Sequence, residues 1–348
     1  MENRINIVVD AMGGDNAPAA VVGGVVEAVG KRSDIHIILV GIEDQVKAEL
    51  SKYKYNPKQI EVKNANSVIT PDEPPVAAIR AKKDSSIVVG MKLVREGAAD
   101  AFISAGSSGA ILVGGQVIVG RGKGVERPPL APLIPTAKGV SVLIDCGANV
   151  DAKPSNLLQF AQMGSIYMEH VIGIKNPKVA IVNIGAEEEK GNALVKETFP
   201  LLKECDKINF VGSIEARDIP MGAADVIVCD AFVGNVILKF YEGAASMLYG
   251  KIKEGMLSTF TTKIGALLVK PGLKKSLKGL HASEYGGAPL LGLKGLVVKA
   301  HGSSTANEIA IAVNQCVTFK KEKINERIQS YLAPVKVTAE GKADSGNE

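Results

Sequence analysis

Short runs of valine, isoleucine and leucine recur along the chain, and each ends in turn residues: INIVVDAMGGD from residue 5, IHIILVG from 35, DAFISAG from 100, VSVLIDCGAN from 140, KVAIVNIG from 178, INFVG from 208 and DVIVCDAF from 225. Between them lie segments with helical spacing of apolar positions, clearest over residues 17–31, 74–82, 87–96, 156–171, 193–205 and 235–251. A strand that is apolar at nearly every position has both faces covered, which helices on the two sides of a mostly parallel sheet achieve. The pattern predicts an α/β fold, a three-layer α/β/α sandwich on a mostly parallel Rossmann-like sheet. It predicts one catalytic domain over residues 1–333. Residues 284–302, rich in glycine and proline, read as loop, and the polar segment 334–348 reads as a disordered tail.

In such sheets ligands bind beyond the carboxyl ends of the strands, where backbone N–H groups and helix N-termini face outward. Unusual residues gather there. Asp10, Gly13, Gly14 and Asp15 follow the first strand; Ser104, Gly106, Ser107, Ser108 and Gly109 follow another; Asp145, Gly147 and Asn149 follow a third. Small residues, hydroxyls and a following helix are the composition of an anion-binding nest. The SAGSSGA segment lacks the Gly-Lys-Ser/Thr ending of a P-loop, and no GxGxxG stands after a strand, so a dinucleotide reading has little support. Each turn taken alone also fits a plain strand-to-helix connection, with Ser107 or Ser108 as the helix cap. Three further segments combine strand ends with reactive side chains: NIGAEEEKG with Lys190, DAFVGNVILK with Asn235 beside Gly234, and YGGAPLLGLKGLVVKAHGSS over residues 285–304. Lys190 also fits a solvated lysine answering Glu187, Glu188 and Glu189. His281 and His301 have the chemistry of general bases, although a single histidine in a glycine-rich loop is more often structural.

Composition narrows the function classes. Of 348 residues, 46% are hydrophobic, enough for a large core without disulfide or metal staples, and 37 glycines with 4% aromatics suit a fold of many tight turns. A formal charge of +4, without interleaved aromatic and basic residues, argues against nucleic acid. Cys146, Cys205, Cys229 and Cys316 form no CxxC pair and read as reduced thiols, which fits a cytoplasmic protein. The chain enters its first strand pattern at Ile5, so no secretory signal is expected, and no apolar run approaches the roughly 20 residues that span a bilayer. Residues 251–278 carry seven lysines against one glutamate. Within them Met256, Leu257, Phe260, Ile264, Leu267 and Leu268 fall in an arc of about 120° if the segment is one helix. That basic amphipathic segment is predicted to lie on an anionic membrane surface as a peripheral contact. Packing in the core or a dimer interface is the competing expectation, and the lysines also suit an acidic protein partner.

Taken in order, DAMGGD, SAGSSGA, GVERP, DCGAN, NIGAEEEKG, SIEARDIP, DAFVGNVILK, YGGAPLLGL and HGSS resemble the phosphate acyltransferases of bacterial phospholipid synthesis, over roughly residues 5–330. The family's usual SAGNTGA has Ser107 and Ser108 here, and its usual NIEGRDIP reads SIEARDIP. The resemblance implies an enzyme that moves a fatty acyl group from the thioester of acyl carrier protein to inorganic phosphate, forming acyl phosphate. It implies a homodimer with no metal and no other cofactor, a fold similar to phosphotransacetylases and to isocitrate and isopropylmalate dehydrogenases, and a glycerol-3-phosphate acyltransferase as the downstream partner. On this reading Lys190 and Asn235 are the catalytic pair, stabilising phosphate and the developing oxyanion. The glycine turns and their flanking polar residues hold the substrates. A nucleotide-dependent dehydrogenase of the same fold and a non-catalytic membrane-surface scaffold are the two alternatives.

Overall fold

The computed structural model describes residues 4–276 and 286–332. His281, Tyr285 and the 334–348 tail lie outside the described residues, as do the last two positions of the 251–278 segment. The strands divide between two sheets. One has the order β10 (Ala288–Leu290), β11 (Leu296–Lys299), β4 (Ala101–Ser104), β1 (Ile5–Asp10), β2 (Ile35–Gly41), β3 (Ile60–Asn64); the other runs β5 (Leu133–Thr136), β6 (Gly139–Ile144), β9 (Val226–Val228), β7 (Lys178–Val182), β8 (Asn209–Ile214). All neighbours are parallel except the edge pairs β10–β11 and β5–β6. The expected α/β architecture is therefore present twice.

Alternation along the strands explains why their sequences are apolar throughout. Ile7, Val9, Ile37 and Ile103 of the first sheet share one core with Val142, Ile144, Ile181 and Val228 of the second. Helices α1 (Ala19–Lys31), α6 (Pro154–Tyr167), α7 (Ala193–Lys203) and α10 (Ala306–Lys321) supply that core with Val25, Phe160, Leu202 and Val313. The intervening residues Val8, Ile38 and Phe102 face the opposite way. They pack on Met91 of α4 (Ser86–Arg95) and Ile111 of α5 (Ser108–Gly114). In the second sheet Leu143, Ala180 and Ile227 face outward beneath Val233 and Ile237 of α8 (Ala231–Met256). Period-two strands with two covered faces need apolar residues at both phases.

Two expectations change. Residues 284–302 were expected to be loop, but β10 and β11 lie within them and pair into the first sheet, with Leu296, Val297, Val298 and Lys299 in register with residues 101–104. Short strands, one containing Pro289 and both flanked by glycines such as Gly287, Gly292 and Gly295, show little periodicity of their own, so only the pairing reveals them. The single basic helix over 251–278 is also broken. Helix α8 starts at Ala231, capped by Asp230, and ends at Met256; α9 (Phe260–Ser276) begins after a turn at Leu257. Met256 and Leu257 thus end one helix while Phe260, Ile264, Leu267 and Leu268 belong to the next, and the stripe is not continuous along one axis.

Candidate active site

The first strand-end cluster is a chain of short hydrogen bonds. At the end of β1, Asp10 is buried; its Oδ2 accepts from Ser104 Oγ at 2.6 Å and its Oδ1 from the Met12 N–H at 3.0 Å. Ser104 Oγ in turn accepts from the Gly106 N–H at 3.0 Å. Burial pushes the Asp10 carboxyl above the usual range, and the Ser104 hydroxyl pulls against it. Gly13 is held so close that a Cβ there would stand 2.6 Å from Gly106 N and 2.7 Å from Asp10 Oδ2, which no side chain permits. The Asp15 N–H donates to Gly302 O at 2.8 Å and the Asn16 amide to Ser303 O at 3.1 Å. The turns after β1, β4 and β11 are thereby tied into one edge, with Gly14 adopting a φ of 98° to make the bend.

The second cluster follows β6. Asp145 is fully buried; Oδ1 accepts from the N–H groups of Leu130 at 2.9 Å, Ala148 at 3.1 Å and Gly147 at 3.2 Å. Its Oδ2 accepts from the Asn149 N–H at 2.8 Å and the Asn149 amide at 2.7 Å. Burial raises its carboxyl, opposed first by the Leu130 and Ala148 N–H groups. Helix α8 sits on this turn: a Cβ on Gly234 would come within 1.9 Å of Asp145 O. The helix N-terminus is internally satisfied, since Asp230 Oδ1 accepts from Phe232 N at 2.9 Å and Val233 N at 3.0 Å, and Ala231 N donates to Asn149 O.

Between the two clusters opens a cleft of about 970 Å³. Its lining mixes polar residues, Ser108, Asn235, Glu242, His301, Ser304 and Glu308, with apolar ones, Leu112, Leu130, Leu133, Phe232 and Leu238. Of the strand-end residues expected from sequence, Ser108, Gly109, Gly147 and Asn235 line this space directly. Asp10, Gly13, Ser104, Asp145 and Asn149 are buried below it and bond to one another or to backbone, so they shape the floor. Ser107 is buried too, and caps α5 by accepting from Ala110 N at 3.4 Å. His301 lines the cleft, with Nδ1 2.8 Å from Ser303 Oγ and 3.3 Å from the Ser303 N–H.

Lys190 is placed differently from the other candidates. It lies on the loop after β7, half exposed, with Nζ 2.9 Å from Glu187 Oε1, and is not among the residues lining the cleft. The lining contains two lysines that sequence reasoning passed over, Lys239 on α8 and Lys299 at the end of β11. The signal for Lys299 was faint: a lysine after two valines in a segment read as loop. Lys239 sits one helical turn beyond Asn235 on α8, and that spacing could have suggested it. Among the described residues no group of three or more His, Cys, Asp or Glu is placed to hold a metal ion.

Comparison with known proteins assigns the family. The model of the fatty acid synthesis protein family matches residues 5–327. The phosphate acyltransferase of Alkaliphilus oremlandii is 58% identical over 329 residues, covering 94% of this chain and 98% of that protein. That of Clostridium novyi is 50% identical over 328 residues, again covering 94% and 98%. Among solved structures, EutD phosphotransacetylase from Staphylococcus aureus matches 92% of this chain and 95% of its own, with a TM-score of 0.57 at 17% identity. A phosphotransacetylase from Streptococcus pyogenes matches 91% and 94%, with a TM-score of 0.59 at 17% identity. These two likenesses are ones of fold, in line with the expected similarity to phosphotransacetylases. With the family match spanning nearly the whole folded chain and relatives at half identity or more, the chain belongs to the fatty acid synthesis protein family, to which its phosphate acyltransferase relatives give their activity.

Proposed function

We propose that the cleft moves a fatty acyl group from the thioester of acyl carrier protein to inorganic phosphate, releasing acyl phosphate for phospholipid synthesis. Phosphate acyltransfer in fatty acid and phospholipid synthesis comes with the family; the donor, the residue roles and the partners are the proposal. One observation carries it: a single cleft is lined both by polar residues at glycine-rich turns and by the apolar Leu112, Leu130, Leu133, Phe232 and Leu238. That combination suits an anionic nucleophile beside a long acyl chain.

The reaction joins a phosphate oxygen to the thioester carbonyl, passes through a tetrahedral oxyanion and breaks the carbon–sulfur bond. The proton of the hydrogen phosphate leaves with the carrier's thiol. Phosphate dianion is already nucleophilic at neutral pH, so positioning and oxyanion stabilisation supply most of the acceleration. Asn235, which lines the cleft, is the proposed oxyanion donor through its amide N–H, while its Oδ1 can accept. Lys190 is proposed as the second catalytic group. It follows the second sheet's β7 and is held only by an exposed, solvent-screened ion pair with Glu187, so the loop can release it when substrate arrives. Lys190→Ala should lower turnover about tenfold or more, and turnover equal to wild type would remove Lys190 from the mechanism. The whole reading is tested by mixing protein, acyl carrier thioester and phosphate and trapping acyl phosphate with hydroxylamine. Phosphate-dependent hydroxamate supports it; thioester loss that ignores phosphate overturns it.

The helical arm is the proposed contact with partners. No helix of the described residues is long and apolar enough to cross a membrane. In the single chain, however, Phe240 of α8 is 76% exposed, and Phe260, Leu267 and Leu268 of α9 are 79%, 70% and 78% exposed. Apolar surface of that kind implies a partner surface. Helix α8 is assigned to a homodimer interface. The end of α8 with Met256 and Leu257, and α9 with Lys263 and Lys270, are assigned to an anionic membrane surface at which the long-chain product is released. The same lysines suit the acidic carrier protein. In vesicle flotation with anionic lipid, Leu268→Glu should lose most binding while remaining folded, whereas binding equal to wild type would return the α9 stripe to a protein interface.

A further inference from the structure

We infer that Lys299, with Lys239 nearby, is the cationic seat of the phosphate nucleophile in the cleft. This inference rests on the function proposed above and names the group that receives one of its substrates. Lys299 ends β11 and pairs in register with Ser104 of β4, whose hydroxyl is bonded to Asp10. The pairing brings its side chain to the tied edge of the first sheet, where it lines the cleft beside His301 and Ser304. No carboxylate forms an ion pair with Lys299 among the described residues; its Nζ donates only to the carbonyl of Ala300. Lys239, which also lines the cleft, is paired with Glu242 at 2.8 Å yet still repels Lys299.

A largely buried cation, with a second cation near and no bonded carboxylate, is unfavourable unless an anion completes the site. Burial and Lys239 pull the Lys299 amine down to about 8, with Asp15 acting weakly the other way. Glu242, which holds Lys239, and Glu308 also line the cleft, so Lys299 is the lining lysine without a carboxylate partner among the described residues, and an anion bound to it would restore its charged form. Lys190 satisfies none of these conditions in the same structure, being exposed and already paired. Two phosphates approach such a site in the proposed reaction: the free dianion and the phosphodiester monoanion of the carrier's pantetheine arm. The dianion carries the larger charge and so gains more from the unpaired Lys299, and it is the proposed ligand.

The test compares wild type, Lys299→Gln and Lys299→Arg, with circular dichroism and oligomer mass as controls for folding. The KM for phosphate should rise roughly tenfold to a hundredfold in Lys299→Gln, with the KM for acyl carrier thioester within about twofold of wild type; Lys299→Arg should recover most of the loss. In wild type, kcat/KM for phosphate should fall as pH rises through about 8, because the free enzyme then loses the ammonium. In Lys299→Arg that alkaline limb should move out of the measurable range. Equilibrium dialysis of labelled phosphate supplies a readout independent of turnover: wild type binds and Lys299→Gln binds at least tenfold more weakly. An unchanged phosphate KM and pH profile in Lys299→Gln would overturn the inference, as would a rise confined to the carrier KM. If wild type binds phosphate through Lys299 but forms no acyl phosphate, the functional reading fails while the site stands.

Discussion

Asn235→Ala is expected to lower turnover by about two orders of magnitude or more with the fold intact. The expectation comes from how the start of α8 is occupied. A helix N-terminus ordinarily offers free N–H groups to an anion, but here Ala231 N donates to Asn149 O, Phe232 and Val233 donate to Asp230 Oδ1, and Gly234 N donates to Asp230 O. The backbone therefore has no donor left to give, and the next side chain along, Asn235, carries the donor that faces the cleft. The amide projects from solvent-exposed helix surface, so its loss should cost little stability. Asn235→Asp is the sharper comparison, because it keeps the shape while placing a negative charge where an oxyanion would develop. It should be at least as slow as the alanine variant in single-turnover measurements. Either variant turning over like wild type would take oxyanion stabilisation away from this residue.

The second large effect is on stability. Asp145→Ala should lower the unfolding free energy by roughly 3–5 kcal/mol, read as a shift in the denaturant midpoint with an unchanged slope. Both carboxylate oxygens are fully committed, accepting from Leu130, Gly147 and Ala148 on one side and twice from Asn149 on the other. Removing the acceptor leaves the buried N–H groups of Leu130 and Asn149 unpaired, which costs more than the bonds themselves contribute, while Gly147 and Ala148 are partly exposed. Asp145→Asn should also be destabilised, because its new amide group points a donor at donors. The damage should reach the cleft as well, since Gly234 packs directly on the Asp145 carbonyl and so sets where Asn235 stands. A midpoint within about 0.5 kcal/mol of wild type would mean that the turn reorganises around the loss.

These two residues show different degrees of legibility. Asp145 stood out because an acid between an apolar strand and a glycine turn is unusual; the sequence suggested a ligand contact, and what the structure adds is a buried carboxylate that braces the turn. Asn235 was legible as a polar side chain early in a helix after a strand end, and the structure places it in the cleft. Lys190 and Lys299 exchange prominence for a physical reason. Lys190 stands among three glutamates in a glycine-bounded loop, which draws attention, but its nearest partner turns out to be one of those glutamates. Lys299 follows two valines in a stretch with no periodicity to mark it, and only pairing with β4 brings it to the strand edges.

By itself the sequence determined the α/β class, most long strands and helices, and, through the order of its motifs, the family. Those features are encoded locally: apolar residues at both strand phases, helical spacing, and turn residues at strand ends. Tertiary structure decided what depends on partners remote in the chain. It divided the strands between two sheets, because strand pairing is a contact between distant segments. It recovered β10 and β11 from an apparent loop, broke the basic helix after Met256, and sorted the strand-end polar residues into a buried floor and a cleft lining. A side chain's chemistry can be read from its type, but its charge partners and its access to a ligand arise only when the chain has closed around it.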